Sequence, residues 1–415
     1  MNFFKLCDII HSKVTKDAVN KGKIMDRIII GLTGAFGSGA SFIADNFLVK
    51  GRGFKKFSLS KALKEKFKSE NGRDSNKRSE LQEFGNKVRE KNINCLAEII
   101  YKEISKNKKD NIVIDSIRNP AEVEYFRKNC KNFILIGVFA DYSVRWARVK
   151  EQYNNSKDEF DHDELKDKGS YEPKYGQKIS DCFFEADIII SNNVEININD
   201  KNDAYLQMDT NIKTYLEKYA DPLKSRPTTV ESLMAEAYVS GRRSFCLKRK
   251  VGAVITDKYN RVISAGYNSV PIGLKECKNQ HGSCYKDQKR VNVARNIAKG
   301  LNINLEGDKE SFVIDTVKRN IKILEACRAL HAEESSILNL VGRGMDMEDT
   351  AMYVTTYPCN LCANKIVQSH IKKVVYFEPY PVEEAKLILE TGGVKTEAFE
   401  GVTFRAFFRF YKYEP

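Results

Sequence analysis

Tyr353-Val354-Thr355-Thr356-Tyr357-Pro358-Cys359-Asn360-Leu361-Cys362-Ala363 reads as a strand that ends at a proline and gives way to a helix with two cysteines at its start. Cysteines three apart at a helix start point the same way, and the helix N-terminus stabilises their thiolates, so one metal ion can take both. Upstream, His331-Ala332-Glu333 opens a second helical segment. His331 supplies a third ligand. Three protein ligands leave the fourth tetrahedral position of zinc to water, the open arrangement of a catalytic centre. A carboxylate beside that water can take one proton and return it, and Glu333, two residues from the histidine, is the candidate. Glu334 is expected to turn away into the helix. The bland alternative is a core histidine with two buried thiols. It is disfavoured because the chain has only five histidines and the proline, the strand and the carboxylate all accompany the ligands.

At 415 residues the chain is too long for one ordinary compact core, and two domains are expected. Its 42% hydrophobic and 30% charged residues are the composition of a folded soluble protein, and disorder is not the default reading. The net charge of +13 favours polyanions such as nucleotides, RNA or DNA, but the lysines are scattered among acids, so no site follows from it. No stretch approaches the roughly 18 apolar residues of a membrane span, and Met1-Asn2-Phe3-Phe4-Lys5 lacks the apolar region of a signal peptide. A cytoplasmic protein is expected, with no membrane partner. Its ten cysteines would be reduced there, so clustered ones read as metal ligands before disulfides.

Arg243-Ser244, Val251-Gly252-Ala253-Val254, Gly266-Tyr267-Asn268, His331-Ala332-Glu333-Glu334 and Tyr353 to Ala363 occur in this order, and residues 228 to 410 resemble the deoxycytidylate deaminase family. His-x-Glu with Pro-Cys-x-x-Cys is the known signature of zinc deaminases. The resemblance implies a cytidine-deaminase-like α/β/α domain with a mixed five-stranded sheet. It also implies that Asn268 contacts the sugar, that Ala332 binds the base through its backbone, and that Tyr357 packs near the base. The basic run Arg242, Arg243, Lys248, Arg249 and Lys250 is a candidate phosphate site, with a solvated basic turn as the alternative. Some family members bind a structural zinc in the region of Cys246, Cys277, His281, Cys284 and Cys327. A second zinc on Cys246, Cys277, Cys284 and Cys327 is therefore a further expectation, against small buried thiols. The polar stretch from Tyr285 to Asn320 departs from the shorter family members.

The N-terminal half opens with the apolar run Arg27 to Leu32, followed by Gly34-Ala35-Phe36-Gly37-Ser38-Gly39-Ala40-Ser41 and a helical pattern from Phe42 to Leu48. Strand, phosphate loop and helix are expected. The loop fits G-x-x-x-x-G-K-S except that Ala40 replaces the lysine. Gly34, Gly37 and Gly39 still permit close approach to phosphates, and Ser41 could reach a magnesium ion. The missing lysine removes the point charge that phosphoryl transfer needs. Further strands are expected at Ile112–Ile114, Phe133–Val138 and Asp187–Ile190, which with helices between them argue a parallel sheet. Asp115 to Pro120, with Arg145 and Arg148, resembles nucleoside-monophosphate and dephospho-coenzyme-A kinases. A kinase-like domain that binds ATP or another nucleotide with Mg2+, for regulation or assembly, is expected over catalysis.

The expected division is an N-terminal extension, 1–24, a P-loop nucleotide-kinase-like domain and connector, 25–225, and a deaminase domain, 226–415, with strands Ala351–Val354, Lys373–Phe377 and Val402–Phe407. Both halves, in this order, resemble the bacterial anti-phage dCTP deaminases. That resemblance implies zinc-dependent conversion of free dCTP and dCMP to dUTP and dUMP, depletion of a phage's precursors, restraint by a small inhibitory RNA in some members, and a homo-oligomer from dimer to hexamer. The rival readings are a housekeeping dCMP deaminase supplying dUMP for thymidylate synthesis, an RNA- or DNA-editing deaminase, and a nucleic-acid-binding module.

Overall fold

A computed structural model describes residues 27–168, 173–303, 308–320, 326–341, 344, 347–378 and 383–412. The expected N-terminal extension lies outside the described residues. Two compact units part at Arg226 and Pro227, and the first takes back the chain from Glu400 onward.

In the first unit β1 (Ile29–Thr33), β2 (Lys55–Ser58), β3 (Ile112–Asp115), β4 (Phe133–Phe139) and β5 (Ile188–Ser191) pair in parallel in the order β5-β4-β1-β3-β2. β1, β3 and β4 are buried along their whole length. That is why they read as unbroken apolar runs, for helices cover both faces of a parallel sheet. β2, Lys-Lys-Phe-Ser at the sheet edge, is partly exposed and has no such run to announce it. Ile30, Leu32, Phe47, Val113, Ile136 and Ile190 are among the residues of the core beneath the sheet.

In the second unit β6 (Gly252–Thr256), β7 (Val262–Tyr267), β8 (Ala351–Thr356), β9 (Lys373–Glu378) and β10 (Lys395–Ala398) form a mixed sheet in the order β10-β9-β8-β6-β7. β6 runs antiparallel to β7 and β8, while β8, β9 and β10 are mutually parallel. Two glycines reveal the layering. A Cβ on Gly252 would lie 1.8 Å from Ala237 O in the helix Thr229–Arg242, and one on Gly266 would lie 2.4 Å from Ala332 O in the helix Ala332–Val341. Gly266 pairs with Ala253, the neighbour of Gly252, and successive residues of a strand face opposite sides. The two helices therefore cover opposite faces of the sheet. β10 has no apolar run because it is a charged edge, with Glu397 paired to Lys373 at 2.5 Å and to Lys395 at 2.7 Å.

The chain end corrects the expected strand Val402–Phe407. Only Gly401–Val402 is extended, as β11, and it pairs antiparallel with β5 of the first unit. Val402 and Phe410 are fully buried in that unit's core, and Thr403 anchors the turn between them by donating its N–H to Asp187 O and its hydroxyl to Ala186 O. Local apolar pattern marks Val402 as core but does not say which sheet it joins. Among the described residues no helix is long and apolar enough to cross a membrane.

Candidate functional site

His331 immediately precedes the helix Ala332–Val341, and Cys359 immediately precedes the helix Asn360–Gln368, whose first turn carries Cys362. The two helix starts meet. His331 Nδ1 lies 3.3 Å from the Sγ of Cys359 and 3.3 Å from the Sγ of Cys362. All three ligand atoms lie within 4.8 Å of one another, and among the described residues this is the one group of three or more His, Cys, Asp or Glu placed to hold a metal ion. Zinc bonds of about 2.3 Å to sulfur and about 2.0 Å to nitrogen suit ligand atoms at this spacing. Glu334 Oε2 accepts from the His331 N–H at 3.4 Å while its Oε1 meets Lys365 Nζ at 3.0 Å, tying one helix start to the other helix.

The first helix is seated on β7 by Ser264 Oγ donating to Ser336 O at 2.7 Å and Asn339 Nδ2 donating to Ala265 O at 3.0 Å. Gly266 lets the helix backbone approach this closely. Gly266→Ala is expected to push the helix off the strand and cost about 2 kcal/mol, the usual range for overpacking. Calorimetry should show the melting temperature several degrees lower, and an unchanged value would mean the helix is not held by this contact.

Electrostatics at the site follow from burial. Glu333 is 4% exposed, and desolvation pushes its carboxyl up from 4.5 to about 7, opposed by the charge of His331. The hydrogen bond with Cys362 lowers Cys359 to about 4 against the opposing effect of burial, with His331 assisting. Cys362 moves up, through that same bond and through burial, and the hydrogen bond to Cys359 raises His331. Both helix N-termini add positive potential where a thiolate or a developing anion would sit.

The other sequence candidates are placed unevenly. Asn268 is buried, its Oδ1 accepting from Val251 N–H at 2.8 Å and its Nδ2 donating to Arg249 O at 2.9 Å, so its amide braces the turn before β6. Ala332 is fully buried at the first position of its helix, where an N–H has no intrahelical acceptor. Tyr357 packs edge-on against Tyr376 with ring centroids 4.7 Å apart. Arg242, Arg243 and Lys250 are exposed, Arg243 lying over the Tyr267 ring at 4.8 Å. Lys248 and Arg249 are instead paired with Asp287 and Glu378.

The second zinc set is not assembled. Among the described residues Cys246, Cys277, Cys284 and Cys327 are half-buried thiols that belong to no group of three or more placed to hold a metal ion, and His281 Nε2 faces Arg328 Nη1 at 3.0 Å. Density of cysteines along the chain does not bring their sulfurs to one point.

In the first unit the loop from Gly34 to Gly39 links β1 to the helical segment that begins at Ala40. Gly39 has φ +89°, and a Cβ there would meet Asn192 Nδ2 at 2.3 Å, so only glycine fits. Ser41 Oγ donates to Asp115 Oδ2 at 2.7 Å, and Asn192 Nδ2 to Ser38 O at 2.8 Å. Arg148 reaches Gly37 O at 3.3 Å. Lys56, Asp45 and Asn192 border this loop without any local motif to mark them, since they arrive from a strand edge, a helix flank and a distant strand end.

Residues 227–378 match the model of the cytidine and deoxycytidylate deaminase zinc-binding region, and residues 30–169 match that of an AAA domain. The chain is 32% identical over 198 residues to the deoxycytidylate deaminase of Schizosaccharomyces pombe, covering 46% of this chain and 52% of that protein. It is 35% identical over 148 residues to the deoxycytidylate deaminase of Enterobacteria phage T2, covering 35% of this chain and 77% of that protein. The crystal structure of dCMP deaminase from the cyanophage S-TIM5 in complex with dCMP and dUMP aligns with a TM-score of 0.29 at 21% identity, over 42% of this chain and 99% of that one. The chain spans about half the length of the two yeast relatives it matches, 52% and 48%. It spans more than two thirds of the phage enzyme at an identity above 30%, and on that match the chain belongs to the deoxycytidylate deaminase family.

Proposed function

We propose that this chain deaminates free deoxycytidine nucleotides, converting dCTP and dCMP to dUTP and dUMP. The observation that carries the reading is the meeting of His331, Cys359 and Cys362 at two helix starts beside the buried Glu333. These three side chains would hold zinc, which when bound supplies the Lewis acidity that brings the pKa of water toward about 7. Glu333 takes a first proton from the attacking water and passes it to ring N3, then takes the second from the new C4 hydroxyl and delivers it to the leaving amine. The C4–O bond forms, the C4–N bond breaks, and ammonia departs. Burial raises this carboxyl in the metal-free protein, and a carboxyl can serve as acceptor and then as donor. Arg242, Arg243 and Lys250 are exposed cations for the 5′-phosphates, Asn268 is assigned to the sugar edge, and the Ala332 backbone and Tyr357 to the base.

The union of a phosphate loop with a deaminase region in one chain supports a role in depleting deoxycytidine nucleotides as antiviral defence, in a homo-oligomer, with a nucleotide at Gly34, Gly37, Gly39 and Ser41 as regulator. The relatives named for deoxycytidylate favour a second reading, a dCMP-specific enzyme supplying dUMP.

Chromatography of zinc-loaded protein after incubation with dCMP, dCTP, CMP, CTP and cytosine-containing single-stranded DNA separates these. Conversion of dCTP and dCMP is the expected result. Conversion of dCMP alone selects the second reading, conversion of DNA alone makes the protein an editing enzyme, and no turnover overturns the enzymatic reading for a binding module.

A further inference from the structure

We propose that the nucleotide loop takes its polyphosphate without a divalent cation, because the Lys56 ammonium holds the place beside Ser41 and Asp115 that such a cation would need. The inference rests on the reading of Gly34 to Gly39 as a nucleotide loop. In phosphate loops that carry magnesium, the loop Ser or Thr and a carboxylate from a neighbouring strand hold the ion. Here Ser41 Oγ is hydrogen-bonded to Asp115 Oδ2 at 2.7 Å, and the same oxygen has Lys56 Nζ at 3.4 Å. Lys56 Nζ is held from the other side by Asp45 Oδ1 at 2.8 Å. Register explains how it gets there: Lys56 lies opposite Val113 on β3, two residues short of Asp115, and its long side chain runs up to the carboxylate.

Magnesium demands near-octahedral oxygen ligands at about 2.0–2.1 Å. An ion taking both Ser41 Oγ and Asp115 Oδ2 would sit in contact range of a full positive charge, beside a carboxylate that is 4% exposed and poorly screened. The residues do not fit that ion while Lys56 is in place. Burial alone would lower the Lys56 pKa, but Asp45 and Asp115 raise it overall, so the ammonium stays charged. Ala40 removes the usual loop cation, and Lys56 restores one charge from a different strand. The loop also presents groups that await a partner. Ser38, 1% exposed, has no hydrogen-bond partner for its Oγ, which lies 2.5 Å from where a Cβ on Gly34 would be. Asn192, 2% exposed, has none for its Oδ1. Buried polar atoms of this kind are uncommon, and a bound polyphosphate or its water would give each of them a partner.

The test is calorimetric titration of the full chain with ATP and with inorganic tripolyphosphate, in magnesium-free buffer and with millimolar magnesium. The wild type is expected to bind both probes in magnesium-free buffer, and millimolar magnesium, which converts most of each probe to its metal complex, should not strengthen the binding. Lys56→Met should weaken binding at least about tenfold without magnesium and recover with it, since Ser41 and Asp115 become open to the ion. Gly39→Val, which collides with Asn192, should lose the binding in both buffers. Wild-type binding that requires magnesium overturns the inference and leaves the nucleotide reading standing. Equal binding by Lys56→Met and wild type in both buffers, or binding that survives in Gly39→Val, also overturns it. No binding of either probe in either buffer overturns the nucleotide reading and the inference with it. Should Lys56→Met fail to fold, the wild-type comparison decides alone.

Discussion

Glu333→Ala is expected to lower deamination of deoxycytidine nucleotides by at least about 10³-fold, some 4 kcal/mol of barrier, while the protein keeps its zinc. The size follows from the number of transfers one carboxyl would perform. Water must give up two protons, one to N3 and one to the departing amine, and Glu333 is the buried carboxyl next to the candidate ligands. Glu334 is committed to Lys365 and to the His331 N–H, so it is a poor substitute. Turnover measured beside zinc content by mass spectrometry checks the assignment, and a variant that retains activity refutes it.

The same carboxyl makes a second, opposite statement about stability. Its pKa is raised to about 7 in the metal-free protein by burial, above the ordinary 4.5. As pH climbs from about 4.5, the unfolded chain releases this proton while the folded one keeps it, so folding loses stability until the folded carboxyl also ionises near 7. The loss amounts to about 3 kcal/mol. Glu333→Gln keeps the shape and removes the titration. The metal-free variant should therefore match the wild type near pH 4.5 and exceed it by about 3 kcal/mol at pH 7, while being inactive. Stability traded for a reactive group is what a working proton carrier implies, and an unchanged difference across this window would argue against it.

Both halves announce their α/β character because the buried strands β1, β3, β4, β6, β8 and β9 are apolar runs between helical segments. Helix starts are equally local. Histidine and cysteine at adjoining N-termini are named by spacing alone, and only the meeting of the two helices needs the fold. The elements that sequence conceals are those whose stability comes from elsewhere. β2 and β10 are charged edges, and β11 is two residues long and joins a sheet whose nearest strand in sequence, β5, ends at Ser191. Lys56 is invisible for the same reason, since a lysine in an edge strand looks like ordinary surface until register places it beside Asp115. Cys246, Cys277, Cys284 and Cys327 show the opposite failure: proximity along the chain suggests a metal site that the packing does not build.

Cys359→Ser, Cys362→Ser and His331→Ala are each expected to weaken zinc binding by at least about 100-fold, beyond the 10–100-fold cost of losing a mere supporting partner. Each removes one of three protein ligands, and a hydroxyl or methyl replaces a soft thiolate or an imidazole at a site whose geometry is set by two helix starts. Turnover should vanish with the metal. A chelator should produce the same loss in the wild type, and added zinc should reverse it there but not in the variants. Stability reports independently of activity: a ligand present at about 1,000 times its dissociation constant adds about 4 kcal/mol to folding, so zinc should raise the melting temperature of wild type and Glu333→Ala but hardly move the ligand variants. The two classes of variant thus separate the roles. Loss of activity with zinc retained isolates proton transfer, and loss of both isolates metal binding. Stoichiometric zinc with full turnover in Cys359→Ser would show that the ion sits elsewhere, and the reading built on these helix starts would fall with it.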